Sequence, residues 1–195
     1  AIITDQLRIL NSENFVAGVA SATNSYYAWI GLPNPTDFQS DWNENPPSPK
    51  DSFSEERDYW DTMIALKKLN SDDIARVVRK ITWSSGTTYE MYRDDYSRSN
   101  LSPQTNSTNL YDTNYYVMNQ NFRVYVCLQN GTNPENASGR PSLDEPLFTD
   151  LEPRSAGASG DGYIWKYLFT VNPNSIIKFD STSFIPLPQN WSTGI

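Results

Sequence analysis

Residues 163–171 read Tyr-Ile-Trp-Lys-Tyr-Leu-Phe-Thr-Val, which sets Tyr163, Trp165, Tyr167, Phe169 and Val171 at alternate positions. A period of two sends successive side chains to opposite faces of an extended strand, so these five large residues share one face and Ile164, Lys166 and Leu168 take the other. Such a face leaves water only by packing on further secondary structure, so the chain needs partner strands and a core.

Partner strands are legible. The apolar runs 115–118 and 122–128 are separated by the polar residues 119–121, a spacing that fits a β-hairpin, and within it Val124, Val126 and Leu128 alternate with Arg123, Tyr125 and Cys127. Residues 25–32, Ser-Tyr-Tyr-Ala-Trp-Ile-Gly-Leu, are too few for a helix and are closed by Pro33, which marks a strand. Residues 74–83 are rich in β-branched side chains and read mainly as a strand, with 71–74 able to form a helical turn first. A short strand at 183–187 ends at Pro188.

Two helices are expected. The capping-box pattern of Ser52 with Glu55 precedes Tyr59, Trp60, Met63, Ile64 and Leu66 at helical spacing. Glu55, Glu56 and Asp58 fall in its first turns and Lys67 and Lys68 in its last, the arrangement a helix macrodipole favours. A shorter amphipathic helix carries Phe15, Val16 and Val19 after a cap at Asn11 or Ser12, and ends near Thr23 or Asn24.

Between these elements the prolines and polar residues of 34–51 predict a surface loop. Residues 84–113, rich in Ser, Thr, Asn, Tyr and Asp, predict a long excursion over the surface that packs against a partner. Glycine- and serine-containing loops at 131–139 and 155–162 bracket 141–153. The expected fold class is therefore α+β and β-rich, with mixed or antiparallel sheet layers, two or three short flanking helices and long ordered loops. At 195 residues a single domain over 1–195 can build a hydrophobic core without cross-links.

Charge and composition exclude several function classes. A net charge of −8 disfavours a general phosphate-binding surface, so no nucleic acid is expected as partner. No apolar run approaches the roughly 20 residues of a spanning helix, so membrane insertion is not expected. Five Asn-x-Ser/Thr triplets begin at Asn100, Asn106, Asn130, Asn136 and Asn190, and the abundance of these residue types accounts for them without glycans.

The chain contains no histidine, which removes Ser-His-Asp and Cys-His catalysis and histidine-ligated zinc. The lone Cys127 lies inside an apolar strand and reads as a packed, inert thiol. Residues 157–162, Gly-Ala-Ser-Gly-Asp-Gly, lack the Lys-Ser/Thr ending of a phosphate loop and precede a strand, so a tight turn with positive φ angles is expected. The carboxylate pairs Asp72 with Asp73, Asp94 with Asp95, and Asp144 with Glu145 could in principle serve as acid and base in a glycosidase, a reading weakened because neighbours on a strand face opposite ways and ranked third behind the two below. Catalytic, cofactor and metal residues are accordingly expected to be absent.

Rings remain as the candidate functional groups, with six Trp and twelve Tyr in the chain. Core packing is the expected role of Trp29, Trp60, Trp83 and Trp165. Trp42 and Trp191 stand in proline-rich and polar surroundings and are the candidate partner-interface residues.

Several separated stretches resemble the gene-eight baseplate wedge protein family of T4-like contractile phages, in its cyanophage form. They are the Tyr-Tyr-Ala-Trp-Ile-Gly-Leu-Pro-Asn-Pro block at 26–35, residues 59–68, residues 77–83 with Arg79 and Lys80, the hairpin at 115–131, and residues 184–188. The most specific is Gly-Asp-Gly-Tyr-x-Trp-x-Tyr-Leu-Phe, carried by Gly160, Asp161, Gly162, Tyr163, Trp165 and Tyr167 and continued by Leu168 and Phe169. The resemblance implies a non-enzymatic, homodimeric subunit that joins gene-seven, gene-six and gene-ten type products around the tail hub. It implies a virion location in the tail baseplate, after synthesis in the bacterial host cytoplasm, and no cofactor. Classical members continue past the segment matching Trp191, so the chain corresponds to a compact member or to the N-terminal part of a longer one. The competing reading is a carbohydrate-binding β-domain that stacks a cell-surface glycan on exposed rings.

Overall fold

The computed structural model describes residues 5–31, 60, 63–92 and 113–188. By internal contacts the chain divides into two compact units, Ala1–Ile74 and Ala75–Ile195, within the span read above as one domain. The described residues are α+β, with antiparallel strand pairs and two α-helices.

In the first unit, helix α1 (Asp5–Ala20) precedes strand β1 (Tyr27–Gly31), which pairs antiparallel with β2 (Met63–Lys68). A 3₁₀ turn, Ser71–Asp73, follows. Helix α1 starts earlier than expected: Gln6, Leu7, Arg8 and Leu10 have high helix propensity and carry the helix back to Asp5, leaving Asn11 and Ser12 inside it and not at its cap. The larger correction is β2. Residues 63–68 were expected to complete a helix begun at Ser52, yet they form a strand, and of 52–62 only Trp60, which is helical, lies among the described residues. Pairing with β1, which sets Trp29 opposite Leu66 and Ile30 opposite Ala65, overrides the local helical spacing. Lys67 therefore compensates no helix dipole; its ammonium pairs with Asp73 in the 3₁₀ turn.

The second unit is built around the three-stranded sheet β4-β5-β6, comprising β4 (Tyr116–Met118), β5 (Arg123–Asn130) and β6 (Tyr163–Thr170). The expected hairpin is present, with Val117 opposite Tyr125. Its turn is organised by Asn119, whose buried side-chain oxygen accepts the N–H groups of Asn121 and Arg123 at 2.9 and 3.0 Å. Strand β5 is central and has four consecutive buried residues, Val124 to Cys127, because each sheet face carries its own apolar cluster. Tyr89, Val117, Tyr125, Cys127, Phe148, Tyr163 and Trp165 form one cluster. Met118, Val124, Val171 and Ile185 form the other.

Strand β6 departs from strict alternation at one point. Val124 faces Phe169 and Tyr125 faces Tyr167, so Leu168 is an extra residue, and beyond it the faces exchange. Tyr167 consequently packs with the first cluster and Phe169 with the second, where one shared face was expected.

The second cluster is closed by β3 (Val77–Arg79), which pairs antiparallel with β7 (Phe184–Pro186), and by helix α2 (Pro173–Phe179). Helix α2 begins with Asn172 as cap, accepting the Asn174 N–H at 2.9 Å, and with Pro173 in its first turn. Lys80 ties β3 to the end of this helix through both Asp180 oxygens, at 2.8 and 2.9 Å, and the Ser181 carbonyl at 3.1 Å.

Candidate interaction surfaces

The motif residues converge on a clasp that pins three loops to the end of β6. Gly160 and Gly162 have φ of +72° and +85°, the left-handed conformations expected of this turn. Between them Asp161, 9% exposed, accepts the Leu143 N–H on Oδ2 at 2.9 Å and the Tyr163 N–H on Oδ1 at 3.0 Å. The carboxylate thus fixes both the strand start and the strap 141–154. Tyr163 extends the clasp, since its hydroxyl donates to the Arg140 carbonyl at 2.6 Å and accepts the Tyr89 N–H at 2.9 Å. Burial pushes the Tyr163 phenol up to about 12. Trp165, fully buried, stacks on Tyr163 with ring centroids 5.4 Å apart and meets Tyr89 edge-on at 5.7 Å.

Tyr89 was expected on a surface excursion, and it is instead 1% exposed in the core. Its carbonyl accepts from Asn130 Nδ2 at 2.9 Å and its hydroxyl accepts the Ser84 N–H at 2.7 Å. No local pattern marked it, because the flanking Ser and Thr residues conceal one aromatic anchor. Of the excursion, 93–112 lies outside the described residues.

The strap itself has no ladder along most of its length and is held by side chains. Trp83 Nε1 donates to Ser142 Oγ at 3.1 Å, Asn119 Nδ2 to the Pro146 carbonyl at 2.8 Å, and the Tyr125 hydroxyl to the Phe148 carbonyl at 2.6 Å. Arg123 donates to the Leu147 carbonyl, and Arg154 exchanges backbone hydrogen bonds with Trp165. Ser142, Pro146 and Phe148 are thereby buried, and Leu143, Leu147 and Leu151 are turned outward with exposures of 52, 51 and 70%.

Beside the clasp, Met91, Gln129, Asn130, Gly131, Thr132, Asn133, Arg140 and Gly162 line an open cleft of about 380 Å³. Its lining is largely amide and hydroxyl groups around one guanidinium. Among the described residues no three His, Cys, Asp or Glu side chains group to hold a metal. The Cys127 thiol is fully buried and burial raises its pKa, which suppresses the nucleophilic thiolate. Asp144 accepts hydrogen bonds from the Ser159 hydroxyl and N–H at 2.5 and 2.9 Å, and these hold its carboxyl below the usual carboxylate range.

The tryptophans divide differently from expectation. Trp165 is core and Trp83 is partly buried against the first cluster. Trp29 and Trp60, expected in a core, are 41 and 62% exposed. Trp29 stands on a two-stranded ribbon whose residues are nearly all exposed. Tyr27 and Trp29 share a face with Leu66, while Ile30 emerges on the other. Trp42 and Trp191, the candidate interface residues, lie outside the described residues.

No helix among the described residues is long and apolar enough to cross a membrane. Comparison with protein-family models and with curated proteins gave no match to this chain.

Proposed function

We propose that the chain is a structural assembly subunit that works through protein–protein contacts, as a baseplate wedge component of a contractile phage tail. The observation that carries this reading is the ribbon β1–β2, on which Tyr27, Trp29, Ile30, Ile64 and Leu66 are 54, 41, 65, 74 and 50% exposed. A two-stranded ribbon is marginal in water on its own, and aromatic and aliphatic side chains displayed together mark surfaces that neighbouring subunits bury. The block at 26–35 that resembles the gene-eight family falls partly on this ribbon. The partners proposed are gene-seven, gene-six and gene-ten type products, with a second copy of the chain as the homodimer mate.

The test is assembly in solution. The chain, mixed with those three recombinant products, is expected to elute by size exclusion as a larger complex, and Trp29→Ser with Leu66→Ser is expected to weaken it without unfolding the second unit. Tyr27 and Trp29 on one exposed face also offer a stacking platform for a sugar ring. A glycan array separates the two readings: binding to a defined glycan with no complex formed would reverse the assignment.

A further inference from the structure

We infer that the strap 141–154 is a second, preformed docking edge, built for a heterologous protein surface with an apolar groove rimmed by Lys or Arg. The inference rests on the reading of the chain as an assembly subunit and adds to it where, and to what chemistry, one partner binds. Its basis is geometric. Inward residues of the strap are fixed by side chains from β4–β5 and from the loops around 83 and 161, so the outward leucines are held in place before any partner arrives. Surface already ordered in its bound form loses little conformational entropy on association, and exposed leucines on an ordered strap are what a groove can bury.

Charge selects the occupant. Asp144, Glu145, Asp150 and Glu152 lie between and beside Leu143, Leu147 and Leu151, and they outnumber the two cations at the strap, Arg154, paired with Asp150 at 2.9 Å, and Arg123, which donates to the Leu147 carbonyl. Apolar contacts framed by carboxylates match a groove framed by cations. A second copy presenting the same strap would set acid against acid, so self-association through this edge is disfavoured.

The probes are two designed helical-hairpin peptides with the same leucine-lined groove between their helices, one flanked by lysines and one by glutamates, titrated into the isotope-labelled full chain. The lysine-flanked peptide is expected to shift the amides of Leu143, Leu147 and Leu151, to bind more weakly as salt rises, and to bind about tenfold more tightly than its glutamate counterpart. Leu143→Ser with Leu147→Ser and Leu151→Ser should lower its affinity by about tenfold or more. Asp150→Lys with Glu152→Lys, which leaves the leucines in place, should invert the preference between peptides. Equal affinity for both peptides, or shifts confined to other residues, would overturn the inference. So would a dimer in sedimentation that the leucine variant dissolves, because the occupant would then be a second copy. Wild-type failure to join the wedge products, with the peptide results intact, removes the functional reading and keeps the docking edge; the opposite pattern removes the edge alone.

Discussion

The hydroxyl of Tyr163 accepts the backbone N–H of Tyr89 at 2.9 Å, joining two buried residues 74 positions apart. Replacing Tyr163 by Phe keeps the ring stack on Trp165 and removes only this oxygen. The Tyr89 N–H is then buried without an acceptor and the Arg140 carbonyl loses its donor, a combined cost of about 2–4 kcal/mol. Urea denaturation of Tyr163→Phe should show a lower midpoint at unchanged slope; a midpoint equal to wild type would mean the clasp contributes nothing to stability.

Glycine positions in the clasp should differ in sensitivity. A Cβ on Gly160 meets nothing within 4 Å, so Gly160→Ala costs only its left-handed backbone, about 1–2 kcal/mol. A Cβ on Gly162 would lie 2.7 Å from the Gly131 Cα, backbone against backbone. Gly162→Ala should therefore be the more damaging of the two in thermal melts, by roughly another 1–3 kcal/mol of overpacking.

Alkaline pH should destabilise the second unit by linkage. Cys127 and Tyr163 both have folded pKa values raised by burial, so the folded state holds its protons more tightly than the unfolded chain. Their contribution is complete below the unfolded values of 9.0 and 10.0, and it declines as pH rises, through about 12 for Tyr163. Stability measured by denaturant midpoint should fall from about pH 9 upward, and Cys127→Ala should delay the onset of that fall toward pH 10, whatever its effect on stability at neutral pH.

Tryptophan accessibility gives a further check. Trp29 and Trp60 face solvent and Trp165 is sealed, so acrylamide should quench the emission removed by Trp29→Phe and Trp60→Phe and leave that removed by Trp165→Phe. Equal quenching of all three fractions would contradict the exposed ribbon.

Much of the second unit was legible in the sequence because its strands carry a period of two. The hairpin and β6 follow from alternating rings and aliphatics, and the positive φ of Gly160 and Gly162 follows from turn chemistry. The first unit was less legible. Tyr59, Trp60, Met63, Ile64 and Leu66 satisfy helical spacing, and a short apolar run does not by itself distinguish a helix from a strand whose partner lies more than thirty residues upstream, as β1 does from β2. Helix α2 carried a readable signal in Asn172 and Pro173 that expectation passed over. Of the clasp, the sequence singled out the residues from Gly160 to Tyr167, while the carbonyls and amides that receive them belong to distant loops whose composition is merely polar. The exposed leucines of 141–154 recur every four residues, but Pro146 and Pro153 rule out the helix that such a spacing suggests, and their direction is set by hydrogen bonds that side chains elsewhere make to the strap's backbone.

The additional residue at Leu168 makes β6 behave as two short strands spliced out of phase. Each half answers to a different apolar cluster, so Tyr163, Trp165 and Tyr167 before the splice are packed independently of Phe169 and Val171 after it. What cannot change is the count: losing one position from 163–171 would swing every later side chain through half a turn and present the second cluster with the wrong set.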